Sequence, residues 1–113
     1  MQTISRERLA ERLASKEPLA LLEALPERSY RAGHLPGARL FPHTEAREHT
    51  EARELAAALL HDKQQPIVVY CANASCRNSH TAAALLSSLG YQHVAVFAEG
   101  KDGWSDAGLP LEY

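Results

Sequence analysis

The sequence is poor in cysteine and has no long apolar run. Two cysteines in 113 residues are too few for the disulfide framework of a small secreted domain. No apolar stretch approaches the ~20 residues that a membrane-spanning helix needs. The segment from Met1 to Ile4 lacks the apolar core of a signal peptide, so the sequence favours a cytoplasmic location.

An excess of charge of either sign is also absent. Lys and Arg number 12, Asp and Glu number 14, and the formal net charge is −2. Such a chain has no basic excess that would favour nucleic acid or an anionic membrane surface as a partner. Its cysteines and histidines do not have the spacing of a structural zinc site. We therefore expect no nucleic-acid or membrane partner, and neither a metal nor another cofactor.

Apolar side chains are plentiful, at 45% of the residues. They suffice for the core of one domain over residues 1–113. Short apolar runs predict four to five strands, near Ile4, Leu19, Leu40, Val68 and Val94. Helical stretches lie between these runs, and Ser5 is the expected N-cap of the first helix. The alternation predicts an α/β fold with a mostly parallel sheet, helices on both faces and right-handed crossovers.

A charged tandem repeat occupies residues 44–54, with Thr-Glu-Ala-Arg-Glu in both copies. Its six-residue period matches neither a helix face nor a strand face. We interpret it as a solvated lead-in to a helix from about Thr50 to His61, with Leu55 and Leu59, and Ala56 as a further candidate, facing the core. The less favoured alternative is a metal site formed by His43, Glu45, His49 and Glu51.

The most informative stretch is Pro66–Leu89. An apolar strand, Ile67–Tyr70, runs directly into Cys71, and a loop of small and polar residues follows. A helix then runs from about Thr81 until Gly90 stops it. In open α/β sheets, ligands bind beyond the carboxyl ends of the strands. Backbone N–H groups of a curled loop and of a helix N-terminus attract anions at such a point.

This location predicts that Cys71 is a nucleophile. A thiol that faces backbone N–H groups should have its pKa lowered toward the reactive thiolate. Arg77 would add a positive charge with a forked geometry suited to oxyanions. The alternative is a buried cysteine in an ordinary strand–helix turn. The predicted anion-binding residues are Ala72, Asn73, Ala74, Ser75, Cys76 and Arg77.

Three blocks of the sequence resemble the rhodanese-like domain family. The strand that ends in Cys71 resembles the start of the family's active-site loop, where a strand ends in the catalytic cysteine. Tyr30–Ala38, YRAGHLPGA, resembles the family signature Y-x-x-G-H-I-P-G-A, and Gly103–Leu111, GWSDAGLPL, resembles the closing G-W-x-x-A-G-L-P-V. The blocks occur in family order, and the resemblance extends from about Ile4 onward. It implies a rhodanese-like fold with Cys71 as the catalytic residue.

The chain departs from the family pattern at the end of its second predicted strand. Many rhodanese-like domains have Asp-x-Arg there, and the matching residues here are Glu23-Ala24-Leu25. The acid is kept, but an apolar side chain replaces the arginine. If the acid and the arginine normally hold the neighbouring loop, we expect that connection to be altered in this chain.

Two further side chains have competing interpretations. His34, in the Gly-Pro-rich turn, could be a general base, but we favour a role in fixing the turn through backbone hydrogen bonds. Trp104 could line a substrate pocket, but we favour a packing role because large aromatic side chains mostly serve cores.

The resemblance implies sulfur transfer. Cys71 would take the outer sulfur of a small anionic donor such as thiosulfate, carry it as a persulfide, and pass it to cyanide, a thiol or a thiol-bearing protein partner. Three alternatives remain open. Cys71 and Arg77 fit the Cys-x5-Arg spacing of phosphatases and arsenate reductases of the same fold, since typical single-domain rhodaneses have four intervening residues. Cys76 could attack a persulfide or sulfenic acid on Cys71. Finally, the chain could be a non-catalytic rhodanese-like binding module.

Overall fold

A five-stranded, all-parallel sheet forms the centre of the computed structural model, which describes residues 2–42 and 49–113. The strand order is β1-β5-β4-β2-β3, so β4 lies in the middle. The strands are β1 Gln2–Thr3, β2 Ala20–Glu23, β3 Arg39–Leu40, β4 Pro66–Tyr70 and β5 His93–Phe97. The expected α/β fold with a parallel sheet is confirmed, and the strands lie where the apolar runs predict them.

Helices connect the strands. They are α1 Arg6–Ala14, α2 Glu27–Arg31, α3 His49–Leu59, α4 Asn78–Ser88 and α5 Gly100–Asp106. Ser5 caps α1 as predicted, because its Oγ accepts the Arg8 N–H at 3.1 Å. Within the described part of the chain, no helix has the length and apolarity needed to cross a membrane.

Helix α4 begins at Asn78, three residues before the predicted start. The predicted start rests on the apolar residues that follow Thr81. Asn and Ser are poor inside helices but suit a first turn, so the polar residues before Thr81 form the start of the helix. The earlier start matters because it brings Ser79 to the end of β4.

An apolar cluster covers each face of the sheet. Successive residues of β4 face opposite ways, so Val68 and Tyr70 enter one cluster while Ile67 and Val69 enter the other. Trp104 belongs to the first of these clusters, where its ring lies edge-on to Phe97. Its Nε1–H donates to the Pro110 carbonyl at 2.8 Å. The expected packing role of Trp104 is confirmed.

The core-facing side of α3 agrees with the prediction only in part. Ala52, Ala56 and Leu60 are buried, whereas Leu55 and Leu59 are only partly buried and pack at the margin of the cluster. Ala56 is buried as predicted, whereas the two leucines expected to face the core reach only its margin, because small alanines let this helix lie close against the sheet. The first copy of the tandem repeat lies outside the described residues, as do His43 and Glu45 of the alternative metal site.

His34 fixes the turn that follows α2. Its backbone N–H and C=O pair with those of Glu112 at 2.9 and 2.7 Å. Its ring stacks on Tyr30, and Nδ1 lies 3.0 Å from the Tyr30 carbonyl. Because a carbonyl can only accept, this nitrogen carries the proton. These contacts confirm the favoured structural role of His34.

Candidate active site around Cys71

The candidate site lies at the carboxyl end of the sheet, where β2 and β4 end side by side. Glu23 and Tyr70 are partners in the register of these two strands, and Cys71 follows Tyr70 directly. Cys71 is buried, with 1% of its surface exposed. Residues 71–79 connect β4 to the first turn of α4, and we call this segment the cysteine loop. A parallel sheet therefore presents Cys71 at the edge where such folds bind ligands.

Backbone N–H groups of α5 hold the start of the cysteine loop. The Lys101 N–H donates to the Cys71 carbonyl, and the Asp102 N–H donates to the Ala72 carbonyl, both at 2.8 Å. These two carbonyls therefore point toward α5. The loop is fixed at its first two peptide groups by a helix that lies 30 residues further along the chain.

Gly100 makes this close approach possible. Its φ is +71°, a conformation that side chains rarely adopt, and a Cβ there would lie 2.7 Å from both the Asn73 nitrogen and the Cys71 carbonyl oxygen. Any side chain at position 100 would thus collide with loop backbone. The sequence shows a glycine before the last helix, but only the fold shows that this glycine faces the loop.

The middle of the cysteine loop folds back on itself through Asn73. The Asn73 Oδ1 accepts the N–H groups of Ser75 and Cys76 at 3.0 and 3.1 Å, and the Asn73 carbonyl also accepts the Cys76 N–H. Ala72 and Asn73 are half-buried, while Ala74 and Ser75 are exposed. Two of the N–H groups expected to bind an anion are therefore engaged by the loop's own side chain.

Ser79 makes two hydrogen bonds to the Cys71 sulfur. Its N–H donates to Cys71 Sγ at 3.4 Å, and its Oγ lies 3.4 Å from the same sulfur. The hydroxyl can accept from the thiol or donate to the thiolate, because it can rotate. Ser79 is buried and is absent from the predicted set. A polar residue in the first helical turn after the loop is the only sequence signal that points to it.

The expected lowering of the pKa at Cys71 is wrong. Burial raises the pKa of the Cys71 thiol, and its hydrogen bond to the Cys76 side chain raises the pKa further, which outweighs the opposing hydrogen bonds from Ser79. The physical reason is desolvation, which penalises the thiolate. N–H groups near a sulfur can be expected from the sequence, but the depth at which the sulfur is buried cannot.

Cys76 is the thiol that the loop favours as a thiolate. Burial by itself would raise the pKa of Cys76, but hydrogen bonds from the Cys71 side chain and from the backbone at Ala72 and Asn78 lower it below its ordinary value. Cys76 is half-buried, so it is also the more accessible of the two sulfurs. The two cysteines thus have opposite electrostatic surroundings within one loop.

Arg77 is exposed and lies at the N-terminus of α4. It lines a shallow groove together with residues of β1 and α4, among them Thr3 and His80. Within the described chain, its side chain makes no hydrogen bond or ion pair to the cysteine loop. Anion binding by Arg77 and by the loop residues from Ala72 to Cys76 stays a prediction.

A buried charge network lies beside Cys71, at the end of β2. Glu23 is fully buried; its Oε1 accepts the Tyr70 hydroxyl at 2.6 Å, and its Oε2 accepts Lys101 Nζ at 3.1 Å. Lys101 also donates to the Ser29 carbonyl at 2.7 Å. Burial and the Glu23 carboxylate raise the pKa of Tyr70, so its hydroxyl stays a donor. Leu25 stands where many rhodanese-like domains have an arginine, and in this chain the cation that binds the Glu23 carboxylate is Lys101 instead.

Comparisons with known proteins agree with this architecture. The model of the rhodanese-like domain matches residues 5–107. The sulfur carrier protein TtuD of Thermus thermophilus is 36% identical over 93 residues, which cover 75% of this chain and 32% of that protein. This chain therefore spans about a third of the length of that curated relative.

Solved structures show the same fold. The crystal structure of the Alr3790 protein from Anabaena has a TM-score of 0.82 and 26% identity, covering 96% of this chain and 90% of that chain. The human single-domain sulfurtransferase TSTD1 has a TM-score of 0.74 and 24% identity, covering 94% and 96%.

Proposed function

Because the chain belongs to the rhodanese-like domain family, we propose that it is a sulfurtransferase that carries sulfane sulfur as a persulfide on Cys71. The observation that supports this proposal most directly is the position of Cys71. It lies at the carboxyl end of the central strand, with the Ser79 N–H directed at its sulfur and its own carbonyl held by α5. A relative described as a sulfur carrier protein supports the same chemistry.

The first step would load the sulfur. The Cys71 thiolate attacks the outer sulfur of thiosulfate, a sulfur–sulfur bond forms at Cys71, the sulfur–sulfur bond of the donor breaks, and sulfite leaves with its electron pair. A thiol with a raised pKa forms less thiolate, but that thiolate is the stronger nucleophile. Ser79 assists because its N–H stabilises the negative charge on Cys71 Sγ.

The second step would unload the sulfur. A thiophilic acceptor, such as cyanide, a small thiol or a thiol-bearing protein, attacks the outer sulfur of the persulfide and releases the Cys71 thiolate. Ala74, Ser75 and Arg77 are the exposed residues of the cysteine loop, and we expect an acceptor to approach across them. Two successive half-reactions on one cysteine predict ping-pong kinetics.

The Cys-x5-Arg alternative receives no such support. A phosphatase or arsenate reductase of this kind needs the arginine to help bind the oxyanion, but the Arg77 side chain is exposed and lines a groove beside β1. The extra loop residue is Cys76, and its sulfur interacts with Cys71. The longer loop therefore accommodates a second thiol.

Intact-protein mass spectrometry tests the proposed function. The reduced protein is incubated with thiosulfate, and we expect it to gain one sulfur atom that peptide mapping locates on Cys71. Cys71→Ser should remain folded by circular dichroism and should lose both this gain and thiosulfate:cyanide transfer. Retained transfer in Cys71→Ser would refute the assignment. Turnover of an aryl phosphate or arsenate without sulfur gain would favour the Cys-x5-Arg alternative, and inertness to all of these would favour a binding module.

A further inference from the structure

The cysteine loop holds a second sulfur for which simple sulfur transfer has no need. The side chains of Cys71 and Cys76 influence each other, since each shifts the pKa of the other in the opposite direction, and neither cysteine is in a disulfide. Backbone groups at Ala72 and Asn78 also bind the Cys76 side chain. A second thiol therefore lies in the same loop as Cys71, close enough to influence it, at the place where a persulfide would form.

A turn in the loop backbone brings residue 76 back toward the start of the loop. Asn73 binds the Cys76 N–H through both its side chain and its carbonyl, which closes a turn over residues 73–76. This turn returns residue 76 to the start of the loop, where the backbone at Ala72 binds its side chain. Since Cys71 is fixed through its carbonyl to α5, both cysteines belong to a loop that is anchored at several points.

We propose that Cys76 is a resolving thiol, which attacks the Cys71 sulfur of the persulfide, forms a Cys71–Cys76 disulfide and releases hydrosulfide. This inference rests on the proposed persulfide at Cys71. The step is balanced without an external oxidant. A new sulfur–sulfur bond forms between the cysteines, the bond to the outer sulfur breaks, and the Cys76 proton leaves with that sulfur as hydrosulfide. The outer sulfur is reduced, and the two cysteines are oxidised.

The inner sulfur is the favoured point of attack for two reasons. Cys76 already interacts with Cys71 Sγ, whereas the outer sulfur would extend beyond it. Attack on the outer sulfur, the route that we propose for external acceptors, expels the Cys71 thiolate, and burial raises the pKa of that thiol. Attack on the inner sulfur expels hydrosulfide instead, a weaker base than an alkyl thiolate.

Two external thiols would then reset the site. They reduce the Cys71–Cys76 disulfide by thiol–disulfide exchange, and they leave as one oxidised disulfide. The sum of all steps converts thiosulfate and two thiols into sulfite, hydrosulfide and a disulfide. Cys76 thus gives the site a reductive outcome, in which sulfide is released, beside transfer of the sulfur to an external acceptor.

A single-turnover experiment under inert gas tests the resolving role. Reduced wild type, Cys76→Ser and Cys71→Ser are each mixed with thiosulfate, with no added thiol or cyanide, while hydrosulfide is swept out and measured. We expect wild type to release hydrosulfide in an amount equal to the protein, to lose both thiols and to form the internal disulfide. Cys76→Ser should instead keep the added sulfur on Cys71 and release no hydrosulfide, and Cys71→Ser should do neither.

The other outcomes separate the two proposals. If Cys76→Ser holds the added sulfur and wild type holds it equally, without disulfide or hydrosulfide, the resolving role is refuted while the proposed function stands. If Cys76→Ser fails to gain sulfur although circular dichroism shows it folded, and Cys71→Ser gains sulfur, the roles of the two cysteines are reversed. If neither wild type nor Cys76→Ser gains sulfur or releases hydrosulfide, the proposed function itself fails. Wild type without thiosulfate must keep both thiols, which excludes residual air as the oxidant.

Discussion

Strands β2 and β4 end side by side in the same sheet, yet their ends are built differently. β2 ends in Glu23, a buried charge that is satisfied entirely by other side chains. β4 is followed by Cys71, a buried thiol whose surroundings are held mainly by backbone hydrogen bonds. One end is suited to fixed structure, and the other is suited to the sulfur transfer that we propose, because a sulfur that accepts and releases a group needs surroundings without tightly bound charged partners.

A single residue connects the two ends. The Lys101 side chain binds Glu23, and the Lys101 N–H binds the Cys71 carbonyl. The buried charge at the end of β2 therefore positions the helix that holds the cysteine loop after β4. If this comparison is right, damage to the β2 end should cost mainly stability, while damage to the β4 end should also change sulfur loading.

The largest effect is expected from Lys101→Met, which breaks the connection on the β2 side. It leaves the Glu23 carboxylate buried without its cation, so the free energy of unfolding should fall by about 3–5 kcal/mol. Urea denaturation measures this. The double variant Glu23→Gln with Lys101→Met should recover much of the loss, because no buried charge is left unpaired.

A surface ion pair provides the control for Lys101→Met. Arg31 and Glu27 form an ion pair with side chains that are 77% and 57% exposed. Arg31→Met should cost no more than about 1 kcal/mol, as is usual for exposed pairs. Equal losses in Lys101→Met and Arg31→Met would show that the network at Glu23 is not a buried charge site.

Gly100→Ala should break the connection on the β4 side. The new Cβ meets loop backbone and the φ is positive, so we expect a loss of about 2–4 kcal/mol from strain and overpacking. Gly108→Ala is the matched control, since Gly108 has a φ of +79° but no atom within 4 Å of the new Cβ. It should cost about 1 kcal/mol from the backbone conformation alone.

Sulfur loading distinguishes these two glycine variants further. Gly100→Ala should gain sulfur from thiosulfate more slowly than Gly108→Ala in the same mass measurement, because only Gly100 contacts the cysteine loop. Equal loading by both folded variants would mean that the contact with α5 does not shape the site.

Tyr70→Phe should have a smaller effect on stability. The Tyr70 hydroxyl accepts the buried Leu35 N–H at 3.1 Å and donates to Glu23, so its removal leaves two polar groups short of a partner. We expect a loss of about 1–3 kcal/mol by urea denaturation. Tyr91→Phe removes a buried hydroxyl that donates to the Leu60 carbonyl at 2.7 Å, and it should cost about 1 kcal/mol. A loss in Tyr70→Phe no larger than in Tyr91→Phe would argue against a network.

The smallest expected effect is a difference in reactivity between the two sulfurs of the cysteine loop. The pH dependence of thiol alkylation should reveal it. The pKa of Cys76 is lowered and that of Cys71 is raised, so iodoacetamide should label Cys76 first. As the pH is increased, the labelling rate of Cys76 should begin to rise at a lower pH than the labelling rate of Cys71. In Cys71→Ala the hydrogen bond to Cys76 is lost, so the Cys76 midpoint should move to higher pH. Peptide mapping after short pulses measures both rates, and prior labelling of Cys71 would contradict the assignment.

The order of strands and helices could be predicted from sequence because it depends on local patterns. The apolar run from Ile67 to Tyr70 and the Ser5 cap are each contained within a few residues, and both are found as expected. The position of Cys71 at the end of a strand follows from the same run. These features need no knowledge of what packs against them.

The surroundings of Cys71 could not be predicted in the same way, because they depend on distant contacts. Lys101 reaches Glu23 across 78 residues, and no periodicity connects them. Ser79 is a neighbour of Cys71 only because α4 begins early and folds back over the end of β4. The raised pKa of Cys71 follows from burial, which cannot be predicted from a loop of small and polar residues.

The hydrogen bonds from α5 to the cysteine loop also set how often that loop can open. The Lys101 and Asp102 amides can exchange with solvent deuterium only when their bonds to the Cys71 and Ala72 carbonyls break. The exchange rates of these two amides therefore report how often the cysteine loop opens. A slow rate at both amides would mean that the sulfur reacts from a preorganised backbone, without an ordering step when the donor arrives.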